Sequence, residues 1–235
     1  MPVYKFKDYI KIMRPIPKDW PTDIYGIPYI KKSEIDLTLL NTKIELVSLS
    51  NISIKDKNAQ YKIVQPFKYD KDLERQYNNA ITKLPILVRY YAIPTLDFSM
   101  HKGMMEAQII DATFRNRWSG VFVQANGYSK VIVTVGWVDE NTYDICFAGI
   151  EDGTVLMIST LGVNNNESIE DFKNGYFEMR KRFPNSKVIC VGDRLSFMED
   201  SIYYVKYKDS FGYKNLNYWQ PSIFELNIKE GWYVI

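Results

Sequence analysis

Short hydrophobic runs alternate with amphipathic helical segments through the middle of the chain. Four of these runs have strand length: ILVRYYAI (86–93), KVIVTVGW (130–137), TVLMIST (154–160) and KVICVGD (187–193). Residues 103–127 and 166–185 instead place apolar positions at helical spacing, and Pro184 stops the second segment. Apolar strands separated by helices are typical of a parallel sheet that is covered on both faces. We therefore predict an α/β fold with a mostly parallel sheet and flanking helices, either an open doubly wound sheet or an incomplete barrel.

The two ends of the chain differ in composition from this central region. Residues 1–40 are rich in Pro, Tyr and Lys and show no clear period, which predicts an irregular arm packed on the main domain. Residues 41–195 carry the α/β pattern, including a further helical segment at 70–84. Residues 196–235 are dense in Tyr, Lys and Asn, which predicts an irregular aromatic-rich extension of the same domain.

The composition is that of a folded protein whose charges nearly balance. Thirty Lys and Arg against 28 Asp and Glu give a net charge of +2, a surplus too small to indicate polyanion binding by itself. Cys146 and Cys190 lie in apolar runs and far from any metal-ligand spacing, which favours buried reduced thiols and a cytoplasmic location. The sequence has neither a signal-peptide pattern nor a run long enough to span a membrane, so we expect no membrane association.

Polar or aromatic side chains follow each of the four predicted strands. Ligands bind at this edge of parallel α/β folds, because the loops at the carboxyl ends of the strands converge there. In chain order, the ligand-binding candidates are Ser99, Trp137, Asp139, Ser159 and Asp193. Converging carboxylates can hold a divalent metal or divide acid and base roles, whereas single Asp and Ser residues also form caps and turns. Asp97 is the first catalytic candidate, because it ends a predicted strand and a Gly-containing loop follows it.

Two arginines lie close together on the helix that is predicted after Asp97. Arg115 and Arg117 are two positions apart and therefore point about 200° apart around a helix, so we expect one to reach a site and the other to be solvated. We choose Arg115 as the second catalytic candidate, because Asp111 lies one turn before it and could orient it. A plain surface ion pair between these two residues is the alternative.

Several common enzyme classes are excluded by missing motifs. The sequence contains no P-loop, no dinucleotide-binding glycine motif, no serine-hydrolase elbow, no His-Glu-x-x-His motif and no cysteine ligand set.

The segments LDFSM, ATFRNRWSGVFVQANG, VIVTVGW and YDICFAGI follow one another in this order through the middle of the chain. Over roughly residues 60–195, this succession resembles a family of uncharacterised proteins from phages, integrative elements and bacteria, classed as a domain of unknown function. The matching residues are Asp97, Phe98, Ser99, Arg115, Gly120, Gln124, Gly127, Trp137, Cys146, Phe147, Gly149, Ser159 and Gly162. The chain departs from the family pattern at Leu96 and Val133, where the family has proline, and at Val123, where it has tryptophan.

The resemblance implies a phage or mobile-element protein in the cytoplasm of a bacterial host, without an established activity. It also implies that Asp97, Arg115, Gln124 and Trp137 belong to one functional surface, which adds Gln124 to the ligand-binding candidates. The three departures affect backbone shape more than chemistry, so they leave this polar set intact.

The sequence is consistent with three functions. The first is a ligand site at the strand ends that binds or processes a nucleotide or another phosphate-bearing small molecule, with an unknown cofactor that could include a divalent metal. The second is a non-catalytic phage protein that binds and inhibits a host or anti-phage defence protein through the aromatic segments 15–30 and 203–219. The third is a single-stranded nucleic-acid binder, against which the nearly balanced charge argues. No pattern in the sequence identifies a reaction.

Overall fold

The computed structural model of the protein describes residues 6–211. Within this range the helices are α1 (Phe6–Met13), α2 (Asp70–Asn78), α3 (Ala80–Leu87), α4 (Glu106–Ala125), α5 (Tyr143–Cys146) and α6 (Asn166–Arg182). The strands in the same range are β1 (Glu45–Ser48), β2 (Lys62–Gln65), β3 (Ile93–Pro94), β4 (Val131–Thr134), β5 (Leu156–Ser159), β6 (Val188–Val191) and β7 (Tyr203–Val205). The predicted α/β class is confirmed.

The described strands pair in parallel and follow one another across the sheet in chain order. Five of them form a sheet in the order β3-β4-β5-β6-β7, and β1 pairs with β2 alongside it. A parallel bridge between Ile63 and Ala92 connects β2 to the start of β3. The order does not reverse as it does in a doubly wound sheet, and the strands do not close into a barrel. The topology is therefore that of an open, sequentially wound sheet, as in an incomplete barrel.

Each face of the sheet carries its own hydrophobic core. One core takes a side chain from each described strand except β3, and from Ala92 just before β3; its members include Leu46, Ile63, Ala92, Ile132, Met157, Ile189 and Val205. The neighbouring residues of most strands, such as Val47, Val133 and Ile158, lie in a second core that includes side chains of α2, α3, α4 and α6. Because successive strand residues point to opposite faces, burial of both faces explains why the strand sequences are apolar throughout.

The segment before β1 crosses the sheet from one edge towards the other. Leu37 and Leu40 are buried in the first core together with Val205 of β7. The side-chain amide of Asn41 donates to the carbonyl of Tyr204 over 3.5 Å. This contact brings the two edges of the open sheet near each other.

The arm before this crossing is anchored by both backbone and side-chain contacts. Ile27 and Ile30 are fully buried, and the indole Nε1 of Trp20 donates to the carbonyl of Tyr29 over 2.7 Å. The proposed division of the chain into residues 1–40, 41–195 and 196–235 stays a prediction, and residues 212–235 of the last segment lie outside the described range.

Two predicted elements differ from the structure. The run 86–93 is not one strand, because α3 continues to Leu87 and β3 begins only at Ile93. A short apolar run does not distinguish a strand from a buried helix end, and Leu84 and Leu87 are buried as a helical pair. The helical segment 70–84 is divided at Asn79, whose φ of −114° and ψ of 28° leave the helical region. None of the helices between residues 6 and 211 is long and apolar enough to cross a membrane.

Helix α6 approaches the end of β4 at a glycine. A Cβ atom added to Gly175 would lie 2.1 Å from Cδ1 of Trp137 and 2.3 Å from its Nε1. The Trp137 ring also contacts Phe172, with ring centroids 4.9 Å apart. The glycine therefore allows the indole to fill the space between the sheet and α6.

We expect Gly175→Ala to lower the free energy of unfolding by about 2–3 kcal/mol, because the added methyl group overpacks the contact with Trp137. In an exposed helix the same change would stabilise by up to about 1 kcal/mol, so the sign separates packing from helix propensity. Urea unfolding measures the difference. Asn174→Ala, at the exposed neighbouring position, serves as the control and should change stability by less than about 0.5 kcal/mol. Stabilisation by Gly175→Ala would contradict the packing described here.

Candidate functional site

A fully buried arginine joins α4 to the end of β4. The Arg117 side chain is 1% exposed and donates through Nε to the carbonyl of Ala148 at 2.9 Å, through Nη1 to Thr134 at 3.0 Å and through Nη2 to Cys146 at 2.9 Å. Burial lowers the pKa of Arg117 to about 10, so the side chain keeps its charge at neutral pH. The expectation that the arginine outside the site would be solvated is wrong, because Arg117 points inward to these three carbonyls.

Asp97 lies just after β3 in a partly buried position. Its carboxyl group makes no hydrogen bond and no ion pair within the described part of the chain. Burial, and to a smaller extent the nearby carboxylate of Asp70, raise its pKa to about 7, against the opposing charge of Arg117. Near neutral pH, Asp97 is therefore present in both its acid and its base forms.

Asp70 and Ser99 complete the group around Asp97. Asp70 begins α2, and its Oδ1 accepts hydrogen bonds from the Ser99 backbone N–H at 3.2 Å and from the Ser99 hydroxyl at 2.9 Å. The buried Asn116 of α4 holds the segment between them, since its Oδ1 accepts from the Phe98 N–H at 2.7 Å. The carboxyl ends of β2 and β3 thus bring together one catalytic candidate and one ligand-binding candidate. Asp70 was missed; it lies five residues after the end of β2, whereas Asp97 lies three residues after the end of β3.

Arg115 is engaged by side chains next to this group. Its guanidinium lies 3.7 Å from the ring centroid of Phe98, forms an ion pair with Glu74 and approaches Asp111 at 3.8 Å. The ion pair with Asp111 that the sequence suggested is present, but Glu74 is the closer partner. Arg115 therefore supports the segment after Asp97 through Phe98.

The other candidates make contacts of their own. Gln124 lies near the far end of the 20-residue helix α4, about 30 Å long, where it exchanges two hydrogen bonds with the backbone of Lys31. Trp137 packs against Gly175 as described above. Ser159 donates a hydrogen bond to the carbonyl of Val191 in β6, and Asp139 accepts one from the Asn141 N–H in its own loop. Asp193 is exposed. Of the four residues for which the resemblance implies one surface, Arg115 lies beside Asp97 on the ring of Phe98, whereas Gln124 lies apart at the far end of α4.

Comparison with known proteins identifies the family of this chain and two similar phage proteins. The family model of a domain of unknown function, DUF4417, matches residues 21–208. The chain belongs to the DUF4417 family. The matched range holds β1 to β7 and α2 to α6, so the DUF4417 domain includes the group around Asp97.

Curated relatives of this DUF4417 chain come from mycobacteriophages. It is 29% identical over 135 residues to the Gene 1 protein of Mycobacterium phage D29, which covers 57% of this chain and 49% of the relative. It is 31% identical over 99 residues to the Gene 1 protein of Mycobacterium phage L5, which covers 42% of this chain and 43% of the relative. The chain therefore spans about half the length of the curated relatives it matches. No solved structure matches it.

Metal-ligating side chains are scattered rather than clustered in the described part of this DUF4417 chain. Between residues 6 and 211, no three Asp, Glu, His or Cys side chains converge in an arrangement that could hold a metal. Cys146 and Cys190 are free and buried, and burial raises the pKa of both thiols, that of Cys190 to about 12. The predicted buried thiols are thus present, and neither is a reactive thiolate at neutral pH.

We expect Arg117→Ala to lower the free energy of unfolding of the DUF4417 domain by about 3–5 kcal/mol, because it leaves three buried carbonyls without donors and opens a cavity. The exposed arginine of α2, Arg75, supplies the control, and Arg75→Ala should cost less than about 0.5 kcal/mol. Urea unfolding compares the two variants. Equal effects would show that the Arg117 hydrogen bonds contribute little.

The raised pKa of Asp97 predicts a stability effect with a defined sign. Because the folded-state pKa of about 7 exceeds the ordinary aspartate value of 3.8, wild-type stability is unaffected below pH 4 and falls as pH rises from about 4 to 7. Asp97→Asn removes the ionisation, so we expect it to stabilise the domain by about 2 kcal/mol at pH 8 and by much less at pH 4.5. Urea unfolding at both pH values tests this. Asp193→Asn, at an exposed position, is the control and should change stability equally at both pH values. If Asp97→Asn also changes stability equally at both pH values, the raised pKa of Asp97 is refuted.

Proposed function

We propose that this phage-family protein binds or processes a small phosphate-bearing molecule, such as a nucleotide, at the carboxyl ends of β2 and β3. Asp97 is the group that accepts or donates a proton in this proposal. The main support is the state of its carboxyl group, which is partly buried, lacks a hydrogen bond within residues 6–211 and has a pKa raised to about 7.

A carboxyl group in this state lowers the stability of the folded protein, which indicates that it is retained for a function. Proteins normally pair a buried carboxylate with a cation or with hydrogen-bond donors, because an unpaired one destabilises the folded state. Arg117, the nearest cation, directs its hydrogen bonds to carbonyls instead. A pKa near the working pH is what a general acid or base requires, and unpaired titratable groups at strand ends are typical of functional sites.

The carboxylates of Asp70 and Asp97 favour a phosphate-bearing ligand that is bound to a metal cation. Asp70 and Asp97 would repel a bare phosphate group, since both can be negative. Mg²⁺ binds proteins through one or two carboxylates and completes its shell with water and phosphate oxygens. Two neighbouring carboxylates are thus sufficient for a magnesium–phosphate complex, although they could not hold the metal as a closed protein site.

We expect Mg²⁺ and ATP together to bind more tightly than either alone, and Asp97→Asn to weaken the joint binding at least about tenfold, because one of two carboxylates is lost. Isothermal titration calorimetry measures the affinities. Asp193→Asn removes a carboxylate from another strand end and should leave the affinity unchanged. In parallel, carboxyl ¹³C NMR should show the pKa of Asp97 falling when Mg²⁺ is added, because a bound cation favours the ionised form.

Two results would count against this function. If ATP binds Asp97→Asn as tightly as wild type, the site lies elsewhere. If the NMR titration gives Asp97 an ordinary carboxyl pKa in the free protein, the acid–base role fails even if ATP binds.

The alternative functions draw less support from the described residues. The segment 15–30, proposed to bind a host protein, places Ile27 and Ile30 in the interior and ties Trp20 to Tyr29. Its partner segment 203–219, which is also the proposed nucleic-acid surface, is described only up to residue 211. Inhibition of a host or defence protein and single-stranded nucleic-acid binding both stay predictions.

A further inference from the structure

A pocket of about 390 Å³ opens between the N-terminal arm, the turn after α5 and the end of α6. Its volume lies in the range of small-molecule sites, about 300–1,000 Å³. The aromatic residues that line it are Tyr25, Tyr29, Phe147 and Phe183, and the charged ones are Asp23, Asp144 and Arg182. Asp97 does not line this pocket, so it is separate from the group at the ends of β2 and β3.

The walls of the pocket are held in place from behind. A Cβ atom added to Gly149 would lie 2.5 Å from the carbonyl oxygen of Pro28 and 3.1 Å from Cγ of Arg117, and the backbone there has a φ of +72°. The Ile30 N–H also donates to the carbonyl of Gly149 at 2.9 Å. The arm and the turn are thus fixed against each other, which forms the pocket in advance of any ligand.

The charges around the pocket favour a cation. Arg182 is already neutralised, because its Nη2 lies 2.7 Å from Asp144 and its Nε lies 2.8 Å from Glu178. Asp23 has no ion-pair partner among residues 6–211, and its Oδ1 accepts only the backbone N–H groups of Tyr25 and Ile27. The lining of the pocket itself carries two carboxylates, Asp23 and Asp144, and one guanidinium, that of Arg182, so it has a net negative charge.

The aromatic walls suit the same kind of ligand. The electron-rich faces of aromatic rings attract ammonium and guanidinium groups within about 6 Å. One such contact exists beside the pocket already, since the Arg182 guanidinium lies 5.4 Å from the ring centroid of Phe147. Tyr25 and Tyr29 add two further rings on the side of Asp23.

We propose that this pocket binds a small organic cation, in which an ammonium or guanidinium group is carried on an apolar body. Asp23 neutralises the charge, and the rings of Tyr25 and Tyr29 contact the apolar body. The site is independent of the phosphate-ligand function proposed for Asp97.

Three probes of similar shape test the charge preference: phenethylammonium, 2-phenylethanol and 3-phenylpropionate. We expect the cation to shift backbone amide NMR signals of the pocket residues at about 10 mM or below, and the neutral and anionic probes to bind at least fivefold more weakly. Equal binding of the three probes, or no pocket shifts with the cation, would overturn the proposal.

Matched variants test the role of Asp23. Asp23→Asn keeps the Oδ1 acceptor of the turn and removes the charge, so it should weaken phenethylammonium at least fivefold without changing 2-phenylethanol. Asp19→Asn removes an exposed carboxylate on the same arm outside the pocket and should bind as wild type. Tyr29→Leu should weaken the cation while Asp23 is intact. Unchanged affinity in both pocket variants would assign the binding to another surface.

Discussion

The buried charge of Arg117 is the constraint on which the centre of this molecule depends. An arginine taken out of water is tolerated only when donors and charge are compensated, and three carbonyls from the end of β4 and the turn after α5 supply the hydrogen bonds. No carboxylate within the described residues contacts it directly. Its charge instead acts at longer range on Asp97 and Asp23, which lie in the two different candidate sites. The charge of one buried arginine therefore affects a carboxylate in each of the two candidate sites.

The open sheet explains why such a brace is needed. Sequentially wound parallel strands bury both faces, but loops at their ends must satisfy their own polar groups. At β4 the brace is Arg117, at β3 it is Asn116 holding Phe98, and at β5 it is the Ser159 hydroxyl on Val191. These three strand ends share one chemical feature, because polar side chains there form hydrogen bonds with the backbone first. Only side chains without such a hydrogen bond are free to bind a ligand.

This distinction marks what sequence patterns could and could not predict. The α/β class follows from patterning alone, because two buried faces leave uninterrupted apolar runs. Asp97 and Ser99 could be found because parallel strands end at a common edge. Asp70 and Arg117 could not be assigned, since their roles depend on contacts with residues more than ten positions away. Gln124 shows the converse error, because an amide that matches a family pattern holds Lys31 at the opposite end of α4.

Asp97 differs from its acidic neighbours in one physical respect. Asp70 accepts two hydrogen bonds from Ser99, and Glu74 pairs with Arg115, so both carboxylates are compensated where they lie. Asp97 lies near Asp70 and near the buried Arg117, yet no donor among residues 6–211 forms a hydrogen bond with it. Asparagine would suit this position better for stability alone, since it carries no charge to desolvate. An aspartate whose ionisation the fold opposes is most simply explained by a proton or a cation that it exchanges with something bound there.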